Sequence, residues 1–155
     1  MATIKYQTAR KEYTCHKCGR QIKKGEKYIR YKINRFSKEG IRCVDCKPMR
    51  SELTMSEFLS RVYGLEEELQ SLDRNITVGK FIDTVQGIID ELNELKDETD
   101  EKLYNMPEQL QDSDVGSLLK ERTYNIDIMI EDLEGKLEEL EEVIDDIKNT
   151  SYVGE

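Results

Sequence analysis

The sequence contains no tryptophan, one histidine and two prolines, and aromatic residues make up only 7% of its 155 residues. Charged residues make up 37%. So few large apolar side chains cannot fill a large globular core. We therefore expect one small module joined to an extended helical part rather than a two-domain enzyme.

Long apolar runs are also missing. No stretch approaches the eighteen or so apolar residues of a membrane-spanning helix. The N-terminal run "MATIKYQTARKEY" lacks the apolar segment of a signal peptide. We expect a soluble, cytoplasmic protein.

Common catalytic motifs are missing as well. The sequence has no glycine-rich phosphate loop, no nucleophile elbow and no second histidine. Adjacent acids such as Asp145 and Asp146 are typical of the solvated faces of helices. We expect a protein that is not an enzyme.

Positive charge is concentrated in the first third of the chain. Residues 1–50 hold 15 Lys and Arg against 4 Asp and Glu, a net charge of +11, whereas residues 51–155 hold 9 against 29, a net charge of −20. This asymmetry predicts two modules with different partners. The alternative is that the two modules neutralise each other, within one chain or in a dimer.

Four cysteines lie in the basic part as two C-x2-C pairs, Cys15 with Cys18 and Cys43 with Cys46. Each pair can present two thiolates from one tight turn, and four thiolates complete a tetrahedron around Zn²⁺. Gly19 follows the first pair, where a metal knuckle often needs a positive φ or room for N–H groups that point at sulfur. The spacing predicts one structural zinc ion bound by all four thiolates.

Other uses of these cysteines stay open. Four thiolates also suit an iron–sulfur cluster, although common ferredoxin spacings differ from this one. A thioredoxin-like redox pair needs a βαβ setting, and structural disulfides need an oxidising compartment. His16 is adjacent to Cys15, which makes simultaneous ligation awkward, so we expect it beside the metal or exposed.

The segment between the two pairs predicts a β-hairpin. A strand from Lys27 to Ile33 is followed by the loop "NRFSKEG" and a return strand that begins at "IRC". The second pair, in "CVDCKPMRSEL", predicts the first turn of a helix, since proline is tolerated only early in one. The side chains of the first strand alternate between two faces, Ile29, Tyr31 and Ile33 on one and Tyr28, Arg30 and Lys32 on the other.

A knuckle, a hairpin and a helix that carries the last two ligands, in this order, resemble a treble-clef zinc finger. The run C-x2-C-G-x2-I-x2-G-E-x-Y is similar to fingers of small bacterial and bacteriophage proteins and, more distantly, to poly(ADP-ribose) polymerase-type fingers. The latter usually end in a histidine and a cysteine, so a strand-break-binding role does not carry over. The resemblance covers residues 13–50 and implies the four cysteine ligands and a framework of Gly19, Ile22, Gly25 and Tyr28. Treble clefs bind DNA, RNA and proteins alike.

Basic side chains interleaved with aromatic ones predict that this module contacts DNA or RNA. Lysine and arginine neutralise phosphates, and an exposed aromatic ring can stack on a base. The alternative is that the charges serve solubility and that several tyrosines build the small core. The residues expected to contact nucleic acid lie on one hairpin face and around it: Lys23, Lys24, Lys27, Tyr28, Arg30, Lys32, Arg35 and Arg42.

The acidic part predicts three helices. The boundary signals are Thr54 as a cap with Glu57 closing a capping box, Thr77 as the next cap, Pro107 and Gly116 as breakers, and Ser113 or Asp114 as a further cap. Apolar residues recur at steps of three and four in two of the helices, as Val78, Ile82, Val85, Ile89, Leu92 and Leu103, and as Ile126, Ile130, Leu133, Leu137, Leu140, Ile144 and Ile147.

These patterns together predict a small α+β treble-clef zinc finger followed by an all-α antiparallel helical hairpin or coiled coil, with a parallel dimer of long helices as the alternative. Residues 1–50 are expected to form the basic finger, residues 51–74 a connecting helix and residues 75–155 the acidic coiled-coil hairpin. The segment "NMPEQLQ…VG" resembles the helical tails of small phage-encoded proteins, which favours a phage or bacterial origin.

Two functions follow from this organisation. The first is a zinc-binding regulatory protein whose basic finger contacts nucleic acid and whose coiled coil serves dimerisation or partner binding. The alternative is a phage-type adaptor or inhibitor that binds a host protein through the acidic helices, whose charge could mimic that of DNA.

Overall fold

The computed structural model of the chain describes residues 2–149. The chain separates into two compact units, Met1–Ser71 and Leu72–Glu155. The first has 16 Lys and Arg against 9 Asp and Glu, a net charge of +7, and the second has 8 against 24, a net charge of −16. The last six residues of the expected acidic region 75–155 lie outside the described residues.

The first unit contains two small antiparallel sheets. The hairpin between the cysteine pairs is confirmed, because its two strands pair with Tyr28 opposite Cys43. An additional strand at the N-terminus pairs with the first hairpin strand on its other side, so the larger sheet has the order β1-β4-β5 and the smaller one is β2-β3. The strands are β1 (Thr3–Thr8), β2 (Tyr13–Thr14), β3 (Gln21–Ile22), β4 (Lys27–Lys32) and β5 (Gly40–Cys43).

The core of this unit is small and includes two of the cysteines. Cys15 and Cys43 are buried together with Ala9, Ile22 and Tyr28. A module of this size buries little apolar surface. Small modules of this kind are usually stabilised by a further cross-link, such as a metal ion bound between two turns. The cysteine side chains are therefore part of the core as well as a candidate site.

The chain after the second cysteine pair differs from the prediction. Cys46 lies in a turn, and the next regular elements are a 3₁₀ helix (Ser51–Leu53) and then α1 (Glu57–Ser71). The Glu52 carboxylate accepts a hydrogen bond from the backbone N–H of Met49 at 2.9 Å and pairs with the Arg42 guanidinium. These bonds stabilise the start of the 3₁₀ helix. The predicted helix at the last two cysteines is not present, because Cys43 ends a strand and Cys46 lies in a turn.

The start of α1 is also shifted. Thr54, the expected cap, lies before the helix and its hydroxyl accepts a hydrogen bond from the backbone N–H of Ser56. The Ser56 hydroxyl accepts from the backbone N–H of Leu59 at 3.3 Å. Ser56 therefore caps the helix, one residue before Glu57 begins it.

The second unit is a helical hairpin of α2 (Val78–Tyr104) and α4 (Asp114–Asn149), joined by a short α3 (Glu108–Gln111). Lys96 pairs with Asp127, and the Thr123 hydroxyl donates to Asp100 at 3.0 Å. Moving from Lys96 to Asp100 along α2 corresponds to moving back from Asp127 to Thr123 along α4. The two helices are therefore antiparallel. The buried seam consists of Val85, Ile88, Ile89, Leu92, Leu95 and Thr99 on α2 and Gly116, Leu119, Ile126, Ile130 and Leu137 on α4.

Most predicted helix boundaries agree with this unit. Thr77 caps α2 by accepting from the backbone N–H of Lys80, and Ser113 accepts from the backbone N–H of Gly116 at the start of α4. Gly116 itself was expected to break the chain, but it lies inside α4. A Cβ there would stand 2.2 Å from the carbonyl oxygen of Gln111, so the glycine permits close backbone packing rather than a helix end.

No helix within residues 2–149 combines the length and the apolar character needed to cross a bilayer.

Candidate metal centre

Four thiols meet at one point of the first unit. Cys15 follows β2, Cys18 lies in the turn before β3, Cys43 ends β5, and Cys46 lies in the turn after it. Their Sγ atoms all lie within 4.8 Å of one another, and those of Cys18 and Cys43 are 3.9 Å apart. Four sulfurs at about 2.3 Å from one zinc ion would be separated by about 3.8 Å. The four cysteines are therefore positioned to bind one metal ion.

All four cysteines are free thiols. The separation of 3.9 Å between Cys18 and Cys43 is almost twice the length of a disulfide bond, about 2.05 Å. The arrangement holds four separate sulfur ligands.

The first knuckle depends on a glycine, as the sequence predicted. Gly19 has φ +73°, in the left-handed region where a side chain would be strained. Its backbone N–H donates to the carbonyl of Cys15 at 3.0 Å, and the N–H of Cys15 donates to the carbonyl of Arg20 at 2.9 Å. This closed turn brings Cys15 and Cys18 to the same side.

Arg20 connects the two knuckles. Its guanidinium lies 3.1 Å from the carboxylate of Asp45, which stands between Cys43 and Cys46 in the sequence. The same guanidinium lies 3.3 Å from the carboxylate of Glu26. The pairs are exposed, so each contributes at most about 1 kcal/mol. Their geometry nevertheless favours the approach of the two cysteine turns.

The thiols differ in acidity. Burial raises the pKa of Cys15, but backbone N–H groups of Cys18, Cys43 and Lys17 outweigh it and lower the pKa from 9.0 to about 6. Hydrogen bonds with the thiols of Cys43 and Cys18 raise the pKa of Cys46 to about 12. Backbone N–H groups that stabilise a thiolate also suit a metal-bound sulfur.

His16 is not among the clustered ligands. Its backbone N–H donates to the carbonyl of Ile41 at 2.8 Å, and its Nδ1 accepts from the N–H of Ile41 at 3.3 Å. The side chain therefore attaches the first knuckle to β5, beside the candidate site.

Two residues expected to contact nucleic acid lie in the interior. Tyr28 is 3% exposed and its ring stacks on Tyr13, and Arg42 is 7% exposed. Burial lowers the pKa of Arg42, but the hydrogen bond to the Tyr31 hydroxyl and the charge of Glu52 outweigh it and raise that pKa. Both side chains are buried, Tyr28 on β4 and Arg42 on β5, so a nucleic acid on the surface would contact neither of them.

The other expected contact residues are at least partly exposed, but they do not form one surface of like charge. Lys23, Lys24 and Lys27 are exposed near the β3–β4 turn, and Arg35 is exposed in the loop after β4. Arg30 and Lys32 both pair with Glu39, which offsets part of their charge.

Strand β1 places one basic residue, Lys5, beside those of β4, a position that the sequence alone did not predict. Lys5 lies opposite Arg30, and Thr3 lies opposite Lys32. Two adjoining hollows, of about 710 and 310 Å³, meet at Arg30, and Arg10 lines the larger one. We call Lys5, Arg10, Arg30 and Lys32 the basic sheet face. The alternation in "TIKYQT" was the signal that could have revealed β1.

Compared with models of protein families, with curated proteins and with solved structures, the chain gives no significant match. Its class is therefore defined by fold and site. It is a small α+β protein with long C-terminal helices and a four-cysteine cluster positioned to bind one metal ion.

Proposed function

We propose that this is a zinc-binding, non-enzymatic regulatory protein. The metal holds together a basic module of the treble-clef type, which contacts nucleic acid through the basic sheet face. The acidic helical hairpin packs as a coiled coil and serves dimerisation or partner binding. The observation that carries the proposal is the four-thiol cluster within a module whose sheet presents side-by-side basic residues.

Zinc suits the cluster for chemical reasons. Thiolates are soft ligands, and four of them in a closed tetrahedron are typical of structural zinc. All four coordination positions would be filled by protein, which leaves none for a water or substrate. The metal would then stabilise the fold rather than act on a reactant.

Nucleic acid suits the basic sheet face because that face collects several positive charges around two open hollows. Lys5 and Arg30 are cross-strand neighbours, and Arg10 lines the hollow next to Arg30. The Nε atom of Arg30 is buried and has no hydrogen-bond partner among the described residues. Within residues 2–149, Glu39 is the one acid that pairs with this face, so a net positive charge is left for phosphates.

The proposal is tested by fluorescence anisotropy of the full-length, zinc-loaded protein with labelled single-stranded DNA, duplex DNA and RNA at several salt concentrations. We expect affinity to fall steeply with salt. Replacing both Lys5 and Arg30 by Gln should reduce the affinity. It should also make the slope of log affinity against log salt concentration shallower by about one for each phosphate that is no longer neutralised. The matched control is Lys102→Gln on the exposed surface of α2, and it should bind like the wild type. Absence of binding to all three probes at low salt would refute the nucleic-acid role.

The second candidate function is an adaptor or inhibitor that binds a host protein. The second unit carries a net charge of −16, and its helix α4 exposes Tyr124 (65%) and Ile128 (47%), four residues apart. Residues at this spacing lie on one side of a helix. Recovery of one dominant protein from a host lysate by the wild type, but not by a Tyr124→Ala/Ile128→Ala variant, would favour this function.

A further inference from the structure

The loop between β4 and β5 (residues 33–39) is held in a defined shape by two of its own side chains. The Asn34 carboxamide oxygen accepts from the backbone N–H groups of Phe36 and Ser37 at 2.7 and 2.8 Å. The Ser37 hydroxyl accepts from the N–H groups of Ile33 and Asn34 at 3.0 and 3.1 Å. Four backbone donors are thus satisfied within seven residues, as in a stable turn.

This ordered loop presents an aromatic ring to solvent. Phe36 is 82% exposed, although a phenylalanine side chain is more stable when it is buried away from water. The Arg35 guanidinium lies 4.6 Å from the ring centroid, a distance at which a cation interacts with an aromatic ring. The loop therefore offers a flat apolar surface with a positive charge beside it.

The ring is close to the basic sheet face along the chain. Lys32 ends β4, and Phe36 follows four residues later. Four extended residues span at most about 14 Å, so the Cα atoms of Lys32 and Phe36 are no farther apart than this. Lys38 is exposed in the same loop. A strand of nucleic acid whose phosphates lie on the basic sheet face could therefore reach the ring with one of its bases.

We propose that Phe36 stacks on an unpaired base, so that the protein binds single-stranded nucleic acid in preference to duplex. The inference rests on the proposed nucleic-acid contact and specifies its substrate. In a duplex both faces of each base are already stacked on neighbours, whereas a base in a single strand can turn onto an aromatic side chain. Arg35 contributes a charge for the adjoining phosphate or for the base itself.

The test uses full-length, zinc-loaded protein and labelled single-stranded DNA, single-stranded RNA and duplex DNA. Phe36→Ala should weaken binding to a single strand about 5- to 150-fold, the equivalent of about 1–3 kcal/mol for one stacked base. Its binding to duplex should change less than about twofold. Asn34→Ala keeps the ring but removes two hydrogen bonds of the loop, and it should weaken single-strand binding by a smaller factor. The DNA and RNA probes show which sugar is preferred.

A second readout uses the absence of tryptophan from the chain. Phe36→Trp introduces a single tryptophan at the loop, which can be excited selectively over the tyrosines, and its emission should be quenched by single strands and left unchanged by duplex. Tyr124→Trp, at an exposed aromatic position of the helical unit, is the matched control and should show no quenching.

The outcomes separate this inference from the proposed function. If the wild type binds every probe in a salt-dependent manner, but Phe36→Ala binds like the wild type and Phe36→Trp is not quenched, the stacking inference alone is wrong. If the wild type binds no probe at low salt, the proposed nucleic-acid contact fails and the inference fails with it.

Discussion

Tyr28 stacks on Tyr13 beside the cysteine cluster, with ring centroids 5.0 Å apart and planes inclined at 25°. The Tyr28 hydroxyl donates to the side-chain oxygen of Gln7 at 2.9 Å. Burial and the contact with Tyr13 both raise the pKa of Tyr28. A side chain with these contacts belongs to the core, so its role is in folding rather than in stacking on a base.

Replacement of Tyr28 tests this role. We expect Tyr28→Ala to lower the free energy of unfolding of the zinc-loaded protein by about 3–5 kcal/mol, the cost of removing a large buried ring. Tyr28→Phe keeps the stacking and should cost about 1 kcal/mol, the usual net value of one hydrogen bond. Denaturant titration followed by near-UV circular dichroism measures both. A denaturation midpoint for Tyr28→Ala equal to that of the wild type would contradict the assignment of Tyr28 to the core.

The pair of Arg42 and Glu52 makes a second prediction. Arg42 is buried in the sheet, and Glu52 and the Tyr31 hydroxyl are its partners. Glu52→Ala leaves the guanidinium without its carboxylate, which should cost about 1–3 kcal/mol. The control is Glu57→Ala at the exposed start of α1, where a change below about 0.5 kcal/mol is expected. Equal stabilities of the two variants would show that the pair is not important.

Glu67 should give the first unit a dependence on acid pH. Burial raises the pKa of this carboxyl, but hydrogen bonds from the Ser51 hydroxyl and backbone N–H outweigh it and lower the pKa below its ordinary value of 4.5. A lowered pKa in the folded state means that the carboxylate stabilises the fold above 4.5. This contribution is lost as the pH falls below that value through the folded pKa.

The measurement compares Glu67→Gln with Glu68→Gln, its exposed neighbour. Stability should fall less between neutral and acid pH in Glu67→Gln than in the wild type, whereas Glu68→Gln should follow the wild type. Release of metal in acid affects all three proteins alike, so the difference between the variants isolates the carboxylate. If the free energy of unfolding depends on pH in the same way in both variants, Glu67 is not the source of the acid sensitivity.

The helical hairpin should depend on its buried seam. Leu92 is fully buried on α2, whereas Ile128 on α4 is 47% exposed. Leu92→Ala should cost about 2–5 kcal/mol, and Ile128→Ala less than about 0.5 kcal/mol. Thermal unfolding followed by circular dichroism at 222 nm distinguishes them. A larger effect at Ile128 would mean that this residue lies in an interface between molecules.

Several features could be predicted from the sequence because local chemistry determines them. The paired cysteines and Gly19 specify the first knuckle, since a thiolate pair and a positive φ each depend on a few adjacent residues. Thr77 and Ser113 cap helices through their own side chains. The alternating side chains of β4 and the spacing of three and four residues between apolar side chains in α4 likewise depend on a single strand and a single helix.

The remaining features depend on contacts between distant residues. Strand β1 is stable only because β4 lies beside it, and Tyr28 is buried because Tyr13 and Gln7 come from other segments of the chain. After Cys46 the chain is held by bonds from Glu52 to Arg42 and to the backbone of Met49. A period of two assigns Tyr28 and Arg30 to one face, but it does not show that the face is covered at one end and open at the other.

The metal content of the purified protein tests the central claim most directly. Inductively coupled plasma mass spectrometry on full-length protein, purified without chelator, should find about one zinc ion per chain. Less than about half a zinc ion per chain, or iron in its place, would contradict the proposed four-thiolate zinc site.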